Sequence, residues 1–167
     1  MSDFYGTIVA ADAYHLARGN GAVWDAVDVT DEEKNAALLL ASEWVDWNYE
    51  SAINGYRTGE VAQLRAWPRT NAYDIYGRTI TGIPVQWEYA VYEVALQEIK
   101  SPGSLFKTWT AGKDIKSVSV DGAISVTYAG AGSFADVQLT IPKISGILAP
   151  LLTGGGVSNV SGRTSRI

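Results

Sequence analysis

His15 is the chain's single histidine, and Asp12 precedes it by about one helical turn. An imidazole beside a carboxylate is the beginning of a general-base site, but a base needs a positioned nucleophile and none is supplied. A structural histidine, at the surface or partly buried, is the simpler expectation. One histidine and no cysteine also remove two-histidine metal sites, cysteine-held zinc, thiol catalysis and disulfides. Asp31-Glu32-Glu33 could suggest a metal, yet three acids at a helix start are explained by its positive end. Gly154-Gly155-Gly156 lacks the lysine and following helix of a phosphate-cradling loop, and no serine sits in a Gly-x-Ser-x-Gly setting. The expectation is therefore no catalytic residue, no metal, no cofactor and no reaction catalysed.

One cluster has chemical character. Residues 55–80 carry Tyr56, Arg57, Arg65, Trp67, Arg69, Tyr73, Tyr76 and Arg78, opposed only by Glu60 and Asp74. Alternating rings and guanidinium groups can stack bases and follow phosphates on single-stranded nucleic acid. They serve equally at protein interfaces, with Trp67 packed into the core beside Pro68 and the arginines paired to acids of the same or an adjacent subunit. Charge favours the second reading. Residues 1–100 hold 7 Lys+Arg against 15 Asp+Glu, a balance of −8, while residues 101–167 hold 6 against 3, a balance of +3, giving −5 in all. An acidic body disfavours a phosphate-gripping groove and suits a surface that DNA must pass without sticking.

These residues need a scaffold. With 167 residues, 47% hydrophobic and 19% charged, the chain can bury one core, and a second independent core is not expected. It has no run of about 18 apolar residues and no basic-then-apolar start, so neither membrane insertion nor export is expected and synthesis in the cytoplasm is. Composition shifts near Pro102: the first 100 residues contain 14 of the 18 aromatics, so the core is built there, whereas the remainder contains 10 of the 17 glycines. A short helix is expected over Ala10 to Asn20, a further turn or two over Ala22 to Val27, and a helix from Thr30, whose hydroxyl and the Glu33 carboxylate form a capping box. That helix carries a stripe of Ala37, Leu40, Ala41, Trp44 and Asn48, broadened by Leu38, Val45 and Tyr49, and ends between Tyr49 and Asn54. From Asn54 to Gly82 glycines and Pro68 predict an irregular connection with one helical turn at Glu60 to Leu64. Pro84 opens another helix to Lys100, with apolar stripes on two flanks: it is either the centre of a bundle or buried on one side by another subunit. Beyond it, alternation around Asp121-Gly122 predicts a β-hairpin, and Ile144 to Leu152 a short apolar helix. The expected architecture is mainly α: a small helical bundle (1–100), a β-hairpin insert and short helix on it (101–152), and an extended, cationic C-terminal arm (153–167).

Several short stretches are familiar as a set. Tyr5-Gly6-Thr7, Ala10-Asp12-Ala13-Tyr14, Thr30-Asp31-Glu32-Glu33-Lys34, Ala66-Trp67-Pro68-Arg69, Ile83-Pro84 and Leu148-Ala149-Pro150-Leu151-Leu152 resemble a tailed-phage head-completion family often labelled DnaT-like single-stranded DNA-binding proteins. By helix plan the chain also resembles the head-tail connectors, or adaptors, beneath the portal. The resemblance spans nearly the whole chain, and its motifs are structural rather than chemical. It implies a virion protein at the head-tail junction: a homo-oligomer, twelve copies in a ring, bound to the portal protein and to a tail or nozzle protein, with double-stranded DNA passing through the lumen. In that frame Trp67, Trp87, Tyr89 and Tyr92 supply packing and interface area, Arg57, Arg65 and Arg69 make subunit or portal ion pairs, and Arg163, Arg166 and Ile167 belong to the docking arm. The arm and the 55–82 connection are expected to be mobile in the monomer and fixed in the ring. The alternatives are a replication protein binding single-stranded DNA through residues 55–80, and a neck protein further down the tail.

Overall fold

The structure, a computed structural model, describes residues 3–106, 117–120, 124–127 and 141–153. Five α-helices stand in order among them: α1 (Ile8–Ala17), α2 (Gly21–Trp24), α3 (Asp31–Tyr49), α4 (Val85–Lys100) and α5 (Pro142–Leu148). Thr7 caps α1 by accepting from the Ala10 N–H at 3.1 Å. Thr30 and Glu33 form the expected capping box on α3, with Glu33 Oε2 accepting from the Thr30 N–H at 2.8 Å. Pro84 stands just before α4, which therefore begins at Val85.

α4 is the centre of the bundle, and this decides between the two explanations for its double apolar flank. α1, α2, α3 and α5 all pack on it, so its second flank is covered by the chain itself. Trp87, Ala90, Val91, Tyr92, Val94, Ala95 and Leu96 are buried there, opposite Ala37, Leu38, Ala41, Trp44 and Val45 of α3. Val85 is half exposed because it begins the helix beyond the edge of the core. α5 contributes Ile144 and Leu148, and a 3₁₀ turn from Ala149–Leu151 adds Leu151.

The connection from α3 to α4 is more regular than its glycines predict. It holds two antiparallel ladders, β1 (Tyr56–Arg57) with β2 (Arg69–Thr70) and β3 (Ala72–Tyr73) with β4 (Thr79–Ile80), plus a 3₁₀ turn over Glu60–Ala62. Two-residue strands leave no alternating pattern to read in a sequence. The expected hairpin is present as β5 (Ser117–Val120) paired antiparallel with β6 (Ile124–Thr127), Val120 facing Ile124. Its Asp121-Gly122 turn and residues 154–167, and with them Arg163, Arg166 and Ile167, lie outside the described residues. No helix among the described residues is long and apolar enough to cross a membrane.

Candidate functional site

The arginine and aromatic cluster of residues 55–80 is built around two carboxylates of α3 and its C-terminal turn. Glu50, the first residue past α3, receives a two-pronged grip from Arg57, Nε to Oε1 at 2.7 Å and Nη2 to Oε2 at 2.6 Å. Arg69 Nη1 adds a third contact to Oε1 at 3.3 Å. The Arg57 hydrogen bonds, helped by the Arg69 charge, hold the Glu50 carboxyl below its ordinary range. Both arginines spend their remaining N–H groups on backbone: Arg57 Nη1 on the Gln63 carbonyl at 2.7 Å, Arg69 Nε on Asn54 at 2.8 Å and Nη2 on Gly55 at 2.6 Å.

Asp46 is the second carboxylate, buried on the inner face of α3. It accepts from Tyr5 Oη at 2.8 Å, the Ala66 N–H at 3.1 Å and Trp87 Nε1 at 3.2 Å, with Arg65 Nη1 3.6 Å away. Burial raises its carboxyl above the ordinary range despite those donors. Arg65 also donates to the Asp3 carbonyl at 2.6 Å and reaches Glu43 at 3.4 Å.

The sequence-nominated residues therefore fall into two groups. Trp67, Trp87 and Tyr92 are buried in the core, Trp67 edge-on to Trp87 at 5.9 Å between ring centroids, and Arg57, Arg65 and Arg69 are tied to acids and carbonyls of their own chain. This is the interface-like packing weighed against base stacking, realised within one chain; Trp67, Trp87 and Tyr92 leave little ring surface for a neighbour. Tyr89 is half-buried, 4.7 Å from the Tyr14 ring, with the Arg18 guanidinium 3.5 Å over Tyr14. Tyr56, Tyr73, Tyr76 and Arg78 remain exposed. The last two sit on a turn fixed by buried Asp74, which accepts from the Tyr76 N–H at 2.9 Å and the Arg78 N–H at 2.8 Å. Gln63 orders the neighbouring loop in the same way, accepting from the Gly59 N–H at 2.9 Å and donating to the Arg65 carbonyl at 2.7 Å. The 55–82 connection thus carries hydrogen bonds of its own within one chain.

His15 is corrected in place as well: it is fully buried, not at the surface, between Tyr14 and Trp24, whose ring centroids lie 5.2 and 4.6 Å away. Burial lowers its pKa to about 4, and neither ring nitrogen has a hydrogen-bond partner of standard geometry. Asp12 is not its partner; it accepts from Trp24 Nε1 at 2.6 Å and Lys34 Nζ at 3.0 Å, and Asp25 also binds Lys34.

Sequence reasoning missed Glu50, Asp46 and Gln63 because single acids and a glutamine carry no motif. It also missed that the exposed residues of α1 are all aliphatic or alanine. No group of His, Asp and Glu among the described residues could hold a metal ion. No curated protein and no solved structure matches the chain. One family does, over residues 2–167, and the chain belongs to it: the family described as "Putative DnaT-like ssDNA binding protein".

Proposed function

We propose that this protein is a structural assembly component, a head-tail adaptor whose copies form a ring beneath a phage portal and pass double-stranded DNA through the lumen, catalysing no reaction. The observation that carries this reading is a contrast in what the chain leaves at its surface. Arg57, Arg65, Arg69, Arg78, Lys34 and Lys143 are all bonded to acids of the same chain, so six of the eight Lys and Arg among the described residues already have their charge opposed, and of the other two Arg18 lies over the Tyr14 ring. Meanwhile Val9, Leu16, Val27, Trp47, Val61 and Leu64 are each more than two-thirds exposed. Val9 and Leu16 share one exposed face of α1 with Ala10, Ala13 and Ala17, and a continuous apolar face of this kind favours a protein partner. The placement beneath a portal rests on the resemblance carried by Ala66-Trp67-Pro68-Arg69 and its companion stretches. The test is native mass and electron microscopy of the purified chain alone and mixed with the portal ring: a ring-shaped assembly is expected. A chain that stays monomeric beside every virion component and binds unpaired oligonucleotides at nanomolar strength overturns the reading.

A second reading, single-stranded DNA binding, is favoured by the family's description and by the exposed Tyr56, Tyr73, Tyr76 and Arg78. Binding of this kind would use those rings, not the buried Trp67 and the engaged Arg69. A salt titration separates the two, because affinity carried by phosphate contacts falls steeply as salt rises.

A further inference from the structure

A helix that packs one face on a core ordinarily turns polar side chains to water. α1 does not. Its exposed residues are Val9, Ala10, Ala13, Leu16 and Ala17, without one polar side chain among them, while Tyr14 and His15 point into the core and Asp12 turns to Trp24 and Lys34. Leu16 lies over Gly21, so the apolar surface turns the corner into α2, and Val27 beyond it is fully exposed. The same corner is acidic on balance: residues 18–34 hold Asp25, Asp28, Asp31, Glu32 and Glu33 against Arg18, which lies over the Tyr14 ring, and Lys34, which is bound to Asp25, so Asp28, Asp31 and Glu32 carry its free negative charge.

The chain contains the complement of this surface. Residues 154–167 carry Val157, Val160 and Ile167 with Arg163 and Arg166 and no acid, so one segment offers aliphatic groups for the helix face and cations for its rim. We propose that residues 154–167 of one copy dock on the outer face of α1 of a second copy, with the two arginines at the acidic corner. The inference rests on the assembly reading above.

Length favours a second copy over the chain's own segment. Thr153 is fixed at the far end of α3, its N–H on the Ala52 carbonyl at 3.0 Å, whereas the acidic corner lies beside Lys34, about 27 Å away along the helix at ~1.5 Å per residue. Arg163 stands only about ten residues beyond Thr153, a reach of roughly 33–36 Å at full extension. Self-docking would use up about three-quarters or more of that reach before any path around the bundle is counted, whereas docking on a second copy carries no such constraint.

The absence of native cysteine makes the test clean. Full-length chains carrying Leu16→Cys and Val160→Cys separately are mixed and oxidised, so that any mixed disulfide joins two copies. The expected result is mixed-dimer formation at least tenfold faster than between Val160→Cys and the exposed control Ser51→Cys, lost with R163E/R166E and restored when that variant meets Asp28→Arg/Asp31→Arg. Equal rates overturn the docking, as does a chain carrying both cysteines that closes mainly on itself. An assembly seen by native mass while pairing stays at the control rate discards the docking and leaves the adaptor reading standing.

Discussion

The phenol of Tyr5 donates to Asp46 Oδ1 at 2.8 Å across 41 residues of sequence, and its own oxygen, Tyr5 Oη, accepts the Trp67 N–H at 3.0 Å. One hydroxyl thereby joins the N-terminal stretch, α3 and the Ala66-Trp67-Pro68-Arg69 turn, and Trp87 Nε1 brings α4 to the same carboxylate. Stability should be concentrated here. Asp46→Asn places an amide N–H₂ where only acceptors fit and is expected to cost about 2–4 kcal/mol, against about 1–2 for Tyr5→Phe, read from urea midpoints at unchanged slope. Equal midpoints for Asp46→Asn and the unmodified chain would show that the hub is dispensable.

Gly6 carries φ +78°, and a Cβ on it would stand 2.0 Å from Tyr92 Oη. Gly6→Ala must both strain the backbone and push a buried ring, an expected loss of about 2–5 kcal/mol. Tyr92→Phe in the same chain should recover part of that loss, because it removes the oxygen that clashes. A double-mutant cycle in thermal or urea unfolding measures the coupling; simple additivity would contradict the contact.

The pH response follows from His15. Its folded pKa, lowered by burial to about 4, lies below the ordinary 6.5 of the unfolded chain. Between those values the unfolded state binds the extra proton, so this residue's share of stability is intact above pH ~6.5 and is lost as pH falls towards ~4. At about 1.4 kcal/mol per unit the loss reaches roughly 3 kcal/mol. His15→Phe keeps the aromatic packing with Tyr14 and Trp24 and removes the titration, so its stability should fall less between pH 7 and pH 4.5 than that of the unmodified chain. Parallel curves in urea titrations at the two pH values would place the histidine in water.

The helices were legible because their signals are local. Thr30 and Glu33 announce α3 within four residues, and the two flanks of α4 are written in its own periodicity. What joins them was not legible, for a physical reason: Asp46 is tied to Tyr5 41 residues away, Glu50 to Arg57 and Arg69 across a change of element, and Gln63 to backbone N–H and carbonyl groups, and none of these leaves a trace in spacing. The arginines of residues 55–80 could be counted from the sequence, but whether a guanidinium is free depends on which carboxylate folds against it. Trp67 and Arg69 read as candidate base-binding groups until the fold sets one in the core and the other on Glu50.

That placement changes how the two functional readings are told apart. Replacing Trp67 or Arg69 would weaken any activity simply by destabilising the chain, since a buried tryptophan cut to alanine costs about 3–5 kcal/mol. Tyr56 and Tyr76 are about 70% exposed, so Tyr56→Ser and Tyr76→Ser should change stability by no more than about 0.5 kcal/mol. Under the adaptor reading these variants leave a weak, salt-sensitive association with oligonucleotides unchanged. Base stacking on the two rings instead predicts a loss of about 1–3 kcal/mol per ring, roughly 5- to 150-fold in Kd, with folding intact. Fluorescence anisotropy with a labelled oligonucleotide at two salt concentrations, beside a urea midpoint for each variant, decides the matter: an affinity loss of that size at constant stability transfers the function to DNA.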